Sequence, residues 1–131
     1  MNALAAAVKT NWSVWDANPV VTWKWGNQVV QVKFENPPIA IAVLDRQQWV
    51  SIVGRPEEFG AANLLMYSYD GMLQKSYSAP ALGGEHHFGG VRADGDGVEV
   101  IISFTDHGDW KEKAGTLDVA TGNVTDLRRS Y

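Results

Sequence analysis

Residues 20–34 read VVTWKWGNQVVQVKF, two β-rich runs joined by Gly26-Asn27. A glycine-first pair suits a two-residue type II′ turn, whose twist matches the strands it connects. That turn sets Trp23 opposite Val30 and Val21 opposite Val32, with Thr22 opposite Gln31 on the other surface. The apolar residues of both runs then share one face. Turn chemistry and alternation are independent signals, and they agree on an antiparallel hairpin.

The same reading extends outward. Residues 39–44 and 48–53 pair around Arg46-Gln47, setting Val43 against Val50 and Ile41 against Ile52, with Leu44 opposite Trp49 on the other face. Apolar residues on both faces predict a strand pair that is central and covered from both sides. Pro37-Pro38, just before it, cannot sit inside a sheet and marks a hard break after the first hairpin. A third hairpin pairs 64–69 with 72–77 through Asp70-Gly71, placing Met66 opposite Lys75. A fourth has Asp94-Gly95-Asp96-Gly97 as its loop, with Val91 facing Val100 and Arg92 facing Glu99. A fifth joins 117–119 to 124–127 around Thr121-Gly122. Residues 2–9, rich in Ala and Leu, predict one short N-terminal helix.

Consecutive hairpins without long helical segments exclude parallel crossovers. The expectation is an all-β fold: a single domain over residues 1–131, an antiparallel meander of about five hairpins forming an open twisted sheet or a small sandwich. The stretches IAVLDRQQWVSI, LMYSYDGMLQKSY and LDVATGNVTDL share a strand, turn, strand rhythm like that of propeller blades. A closed propeller needs at least about four blades of roughly 40 residues, so closure is not expected.

Length and composition narrow the function. The chain has 131 residues, 45% of them apolar, the size and make-up of one globular domain. It has no Cys, which removes disulfides, thiolate metal sites and a Cys nucleophile. Its opening residues lack the basic region of a signal peptide, and its longest apolar run falls far short of the roughly 20 residues of a membrane helix. A cytoplasmic protein with no membrane association is expected. The net charge of -4 argues against nucleic acid as partner, because that binding rests on a basic face. Charge is also unevenly placed: residues 1–79 are neutral, and the 85–109 stretch holds Glu85, Asp94, Asp96, Glu99, Asp106 and Asp109 against Arg92 alone. This acidic region is a candidate surface for a basic partner.

Catalytic signals are sparse. Glu85, His86, His87 and His107, with the nearby aspartates, could supply a hydrolytic metal site, but adjacent histidines on an extended chain point to opposite sides. Asp94-Gly-Asp96-Gly-Val-Glu99 lacks the ligand ladder of a calcium loop. No nucleophile elbow, serine triad or phosphate loop is present in the sequence. The expectation is a protein that is not an enzyme and uses no metal or cofactor. Of the six tryptophans, Trp23 and Trp49 alternate in phase with core residues, while Trp12 and Trp15 suit a staple against the sheet. Trp110, within TDHGDWKEK, reads as a loop residue among charges, either a lid on the core or a partner contact.

In its small size, absence of Cys and hairpin style, seen in LLMYSYDGMLQKSYSAP and GTLDVATGNVTDLRRSY, the chain resembles over residues 39–131 the small immunity proteins of bacterial polymorphic toxin systems. The resemblance is to those of contact-dependent inhibition and type VI secretion. It implies a protein that neutralises a cognate toxin domain by occluding its active site. An acidic surface suits a basic toxin, which gives Glu85, Asp94, Asp96, Asp106, Asp109 and Trp110 as the candidate partner-binding residues. A small-ligand or carbohydrate-binding β-module, with exposed aromatics stacking on a sugar, is the alternative.

Overall fold

The structure, a computed structural model, describes residues 9, 10, 12 and 18–129. It is built from antiparallel strands in three sheets. The N-terminal sheet contains β1 (Lys9–Thr10), β2 (Val20–Trp25) and β3 (Gln28–Lys33). The middle sheet contains β4 (Ala40–Leu44), β5 (Trp49–Val53), β6 (Leu64–Ser68) and β7 (Leu73–Tyr77) in sequence order. The C-terminal sheet repeats that order with β8 (His86–Asp94), β9 (Gly97–Asp106), β10 (Asp109–Leu117) and β11 (Val124–Arg129). A single helical turn, α1 (Pro56–Phe59), sits between β5 and β6.

The all-β, antiparallel expectation holds, and the strands are divided among three sheets, in each of which neighbours follow in sequence order. The strands are interrupted at Pro37-Pro38 and again across residues 78–85, and consecutive sheets stack by their faces. The middle sheet is the centre of the stack. One face sets Leu44, Val53, Leu64 and Met66 against Phe88, Val100, Ile102 and Phe104 of the C-terminal sheet. Its other face sets Val50, Ile52 and Tyr69 against Val21, Trp23 and Val30 of the N-terminal sheet. This two-sided burial is what the apolar residues on both faces of the β4–β5 pair require. Each fully buried side chain of this size contributes about 1.5–3 kcal/mol.

Two buried polar ties fix how the sheets sit on one another. The Trp23 indole Nε1 donates to the Tyr69 carbonyl at 2.8 Å, joining N-terminal and middle sheets. Asn63 has no exposed surface; its Nδ2 donates to the carbonyls of Gly54 and Phe88, and its Oδ1 accepts from Phe88 N–H, each at 2.8 Å. The second tie joins the β5–β6 connection to β8.

Most of the register follows the sequence. Trp23 pairs with Val30, Val43 with Val50, Leu44 with Trp49, Met66 with Lys75 and Arg92 with Glu99. The departures are local. Gln48 lies in the β4–β5 turn at φ 58°, outside the strand. The β6–β7 ladder shifts after Met66, so Tyr67 meets Leu73 and Met72 joins the turn. The last hairpin begins earlier than expected, with Val119 in the loop whose bend is fixed by Asp118: its side chain accepts from Ala120 N–H and its carbonyl from Gly122 N–H. The expected helix over residues 2–9 falls outside the described residues except for Lys9, which is in β1 opposite Lys24. Trp15 also lies outside them, while Trp12 is half-buried against the N-terminal and middle sheets.

Candidate partner-binding site

The TDHGDWKEK stretch, expected as a loop, is the tight end of the β9–β10 hairpin. His107 and Gly108 both take positive φ, 53° and 84°, the backbone of a type I′ turn. Trp110 is therefore a strand residue opposite Thr105. It is 55% exposed, so it is no lid on the core. Strand alternation puts Trp110 and Glu112 on the face of the C-terminal sheet away from the middle sheet, together with Ser103, Thr105 and His87.

The start of β8 is held to this hairpin end by backbone bonds. Gly84 N–H donates to Thr105 carbonyl at 3.0 Å and Thr105 N–H to Glu85 carbonyl at 2.9 Å. Thr105 Oγ1 accepts from Glu85 N–H at 2.8 Å. A Cβ on Gly83 would come within 1.9 Å of the Thr105 carbonyl oxygen, so only glycine lets the chain pass here. Through these contacts His87 reaches Trp110, with ring centroids 5.4 Å apart and tilted by 54°.

Opposite the Trp110–His87 pair stand Pro56, Glu57, Gly60 and Ala61 of the β5–β6 connection. Together with Gly84 to His87 they enclose an open hollow of about 540 Å³. Asn63 holds this wall in place through its bonds to Gly54 and Phe88. A smaller depression beside it is lined by His87, Ser103, Trp110 and Glu112, in which Ser103 Oγ donates to Glu112 Oε2 at 3.4 Å.

Of the six residues proposed from sequence, the structure brings Glu85, Asp106, Asp109 and Trp110 to this end. Asp94 and Asp96 lie at the β8–β9 turn, the opposite end of the sheet. The 85–109 region is thus not one acidic patch, because β9, ten residues at roughly 3.3 Å each, separates the two turns. Ion pairing thins it further. Asp96 lies 3.7 Å from Arg46, and Asp106 accepts from Lys111 at 2.8 Å. The Lys111 ammonium holds the Asp106 carboxyl below its ordinary pKa, and Asp106 in turn raises that of Lys111. Glu57, Glu85 and Asp109 form no ion pair among the described residues. Glu57 was missed by sequence reasoning, and His87 was weighed there only as a metal ligand. Their role depends on the β5–β6 connection folding over β8, which no local pattern signals.

The candidate metal ligands named from sequence are not brought together among the described residues. His86 and His87 point to opposite faces of β8, and His107 sits exposed in the turn beside Asp106 at 3.6 Å. Among the described residues no three His, Cys, Asp or Glu side chains are grouped to hold a metal ion. Ser103 bonds to Glu112, whereas a triad would need histidine between serine and carboxylate. No described helix is long and apolar enough to cross a membrane. Comparisons with protein families, curated proteins and solved structures found no match.

Proposed function

We propose that the protein is a binding protein for a basic protein domain, acting in the cytoplasm and without turnover, as small immunity proteins act on cognate toxins. The observation that supports it best is an exposed tryptophan, Trp110, in tilted contact with His87, in a hollow that Glu57 and Glu85 also line. An aromatic face beside unpaired carboxylates receives a lysine or arginine side chain: the ring attracts the cation and the carboxylates neutralise it. Trp and its charged neighbours then serve as anchor and rim of the interface. Asp94 and Asp96 join in only with a partner that spans the length of β9.

A calorimetric titration with the product of the gene adjacent to its own, at low and high salt, tests the reading. A saturable complex weakened by salt supports it, and absence of a complex at either salt concentration overturns it. The carbohydrate reading calls for paired aromatics on one face. Here Trp110 is the only tryptophan among the exposed large apolar side chains of the described residues, and its neighbour is a histidine.

A further inference from the structure

The outward face of the C-terminal sheet carries a second hollow, of opposite character to the first and further along β9. It measures about 510 Å³ and opens where the start of β4 meets β8. Its apolar lining comes from Ala40, Ile101 and Ala114, and its polar lining from Arg92, Arg128 and Arg129 around Glu99.

Glu99 organises this hollow. Its side chain is only 10% exposed and accepts from two arginines at once, from Arg92 Nε at 2.5 Å and from Arg128 Nη2. Arg128 is further held by its Nη1 bond to the Asp126 carbonyl at 3.0 Å. A cross-strand ion pair on a sheet needs one cation per carboxylate. Two guanidinium groups share one buried Glu99, one cation more than that carboxylate balances. Arg92 gives Glu99 its Nε while its side chain stays 70% exposed and open to solvent. A fork oriented in this way by a buried carboxylate is preorganised for a second, exchangeable oxyanion.

The lining selects among oxyanions. Ile101 and the alanines offer no hydrogen bond, so a bare ion would leave them wet, whereas an alkyl chain would cover them. Gly90 contributes by having no side chain: a Cβ there would stand 3.1 Å from Ile101 Cγ1. From this geometry we propose that the hollow between β4, β8 and β11 is a binding site for a small amphiphilic anion, a carboxylate or phosphate group carried on an apolar body. The oxyanion docks on the Arg92 and Arg128 forks and the apolar body on Ala40, Ile101 and Ala114. This site does not depend on the Trp110 hollow or on its partner.

The test is titration of the full chain, followed by amide chemical shifts, with hexanoate, hexyl phosphate, inorganic phosphate and hexanol. Saturable shifts at Gly90 and Ile101 with hexanoate or hexyl phosphate are expected, and the tighter of the two identifies the headgroup. Hexanol and inorganic phosphate should each bind at least about tenfold more weakly, having lost one half of the contacts. Arg92→Gln, at an exposed position, should keep the folded spectrum and weaken binding by about tenfold or more, while Trp110→Ala should leave it unchanged. The proposal is overturned if neither amphiphile gives saturable shifts. It is equally overturned if inorganic phosphate binds as tightly as hexyl phosphate, or if folded Arg92→Gln and Arg128→Gln variants bind as the parent does.

Discussion

Asn63 treats the backbone of Phe88 as a strand would, donating to its carbonyl and accepting from its N–H, both at 2.8 Å. One side chain therefore replaces a missing rung between two sheets whose strands do not pair there. Asn63→Leu would leave the N–H and carbonyl of Phe88 and the carbonyl of Gly54 buried without that partner. Each unsatisfied buried group costs about 1–3 kcal/mol, so a loss of at least about 2 kcal/mol is expected in urea unfolding. The same variant should disturb the amide shifts of Gly60, Ala61 and His87, because Asn63 also seats the wall of the Trp110 hollow.

Ser51 makes the opposite prediction. It is fully buried in the middle of β5, and its Oγ has no hydrogen-bond partner. Ser51→Ala removes a desolvated hydroxyl and little volume. Stability should stay equal or rise by about 1 kcal/mol, and a clear drop in the urea midpoint would show that the hydroxyl is satisfied in solution.

Acid should act through Glu99. The Arg92 hydrogen bond is the largest cause holding its carboxyl below the ordinary value of 4.5, and Arg128 adds to it. A carboxyl depressed in the folded state contributes stability above its unfolded pKa and loses it as pH falls through the folded one. Unfolding free energy should therefore decline as pH drops below about 4.5, and Glu99→Gln should flatten that part of the profile. An unchanged slope in the variant would remove Glu99 from the account.

Trp110→Ala should leave the melting temperature nearly unchanged, because more than half of the residue is already in solvent. Affinity for a basic partner should fall by about tenfold or more if Trp110 is the interface anchor. A large drop in melting temperature would instead give the indole a packing role.

Charge reversal at the same end separates rate from affinity. Asp109→Lys should chiefly slow association and weaken its salt dependence, since Asp109 is exposed at the rim of the hairpin. Glu85→Lys, on the wall of the hollow, should speed dissociation as well. Stopped-flow binding at two ionic strengths distinguishes the two effects.

The fold was legible where alternation and a short turn act together, as in Trp23 with Val30 and Val43 with Val50. It was illegible where a strand leaves the core. Lys111, Glu112 and Lys113 are all exposed, so the first half of β10 has no apolar alternation to announce it, and His107-Gly108 went unrecognised as a turn. The candidate site was half legible for a related reason. Trp110 and the carboxylates are visible as residue types, but which of them meet is decided by two hairpin turns at opposite ends of one sheet. Glu57 enters from a segment that is distant in sequence.

The double-sided middle sheet also has a consequence for the chain while it is being made. Synthesis from the N-terminus completes β4 to β7 before any residue of β8 exists. At that moment Leu44, Val53, Leu64 and Met66 have no cover, although Val50 and Ile52 can already close on Val21 and Trp23. A nascent or truncated chain ending near residue 80 would thus expose a continuous apolar sheet face with unpaired edges, a surface prone to self-association. Cover for that face therefore arrives only with the C-terminal sheet, and a premature stop in β8 should yield an insoluble product where a stop after β11 does not.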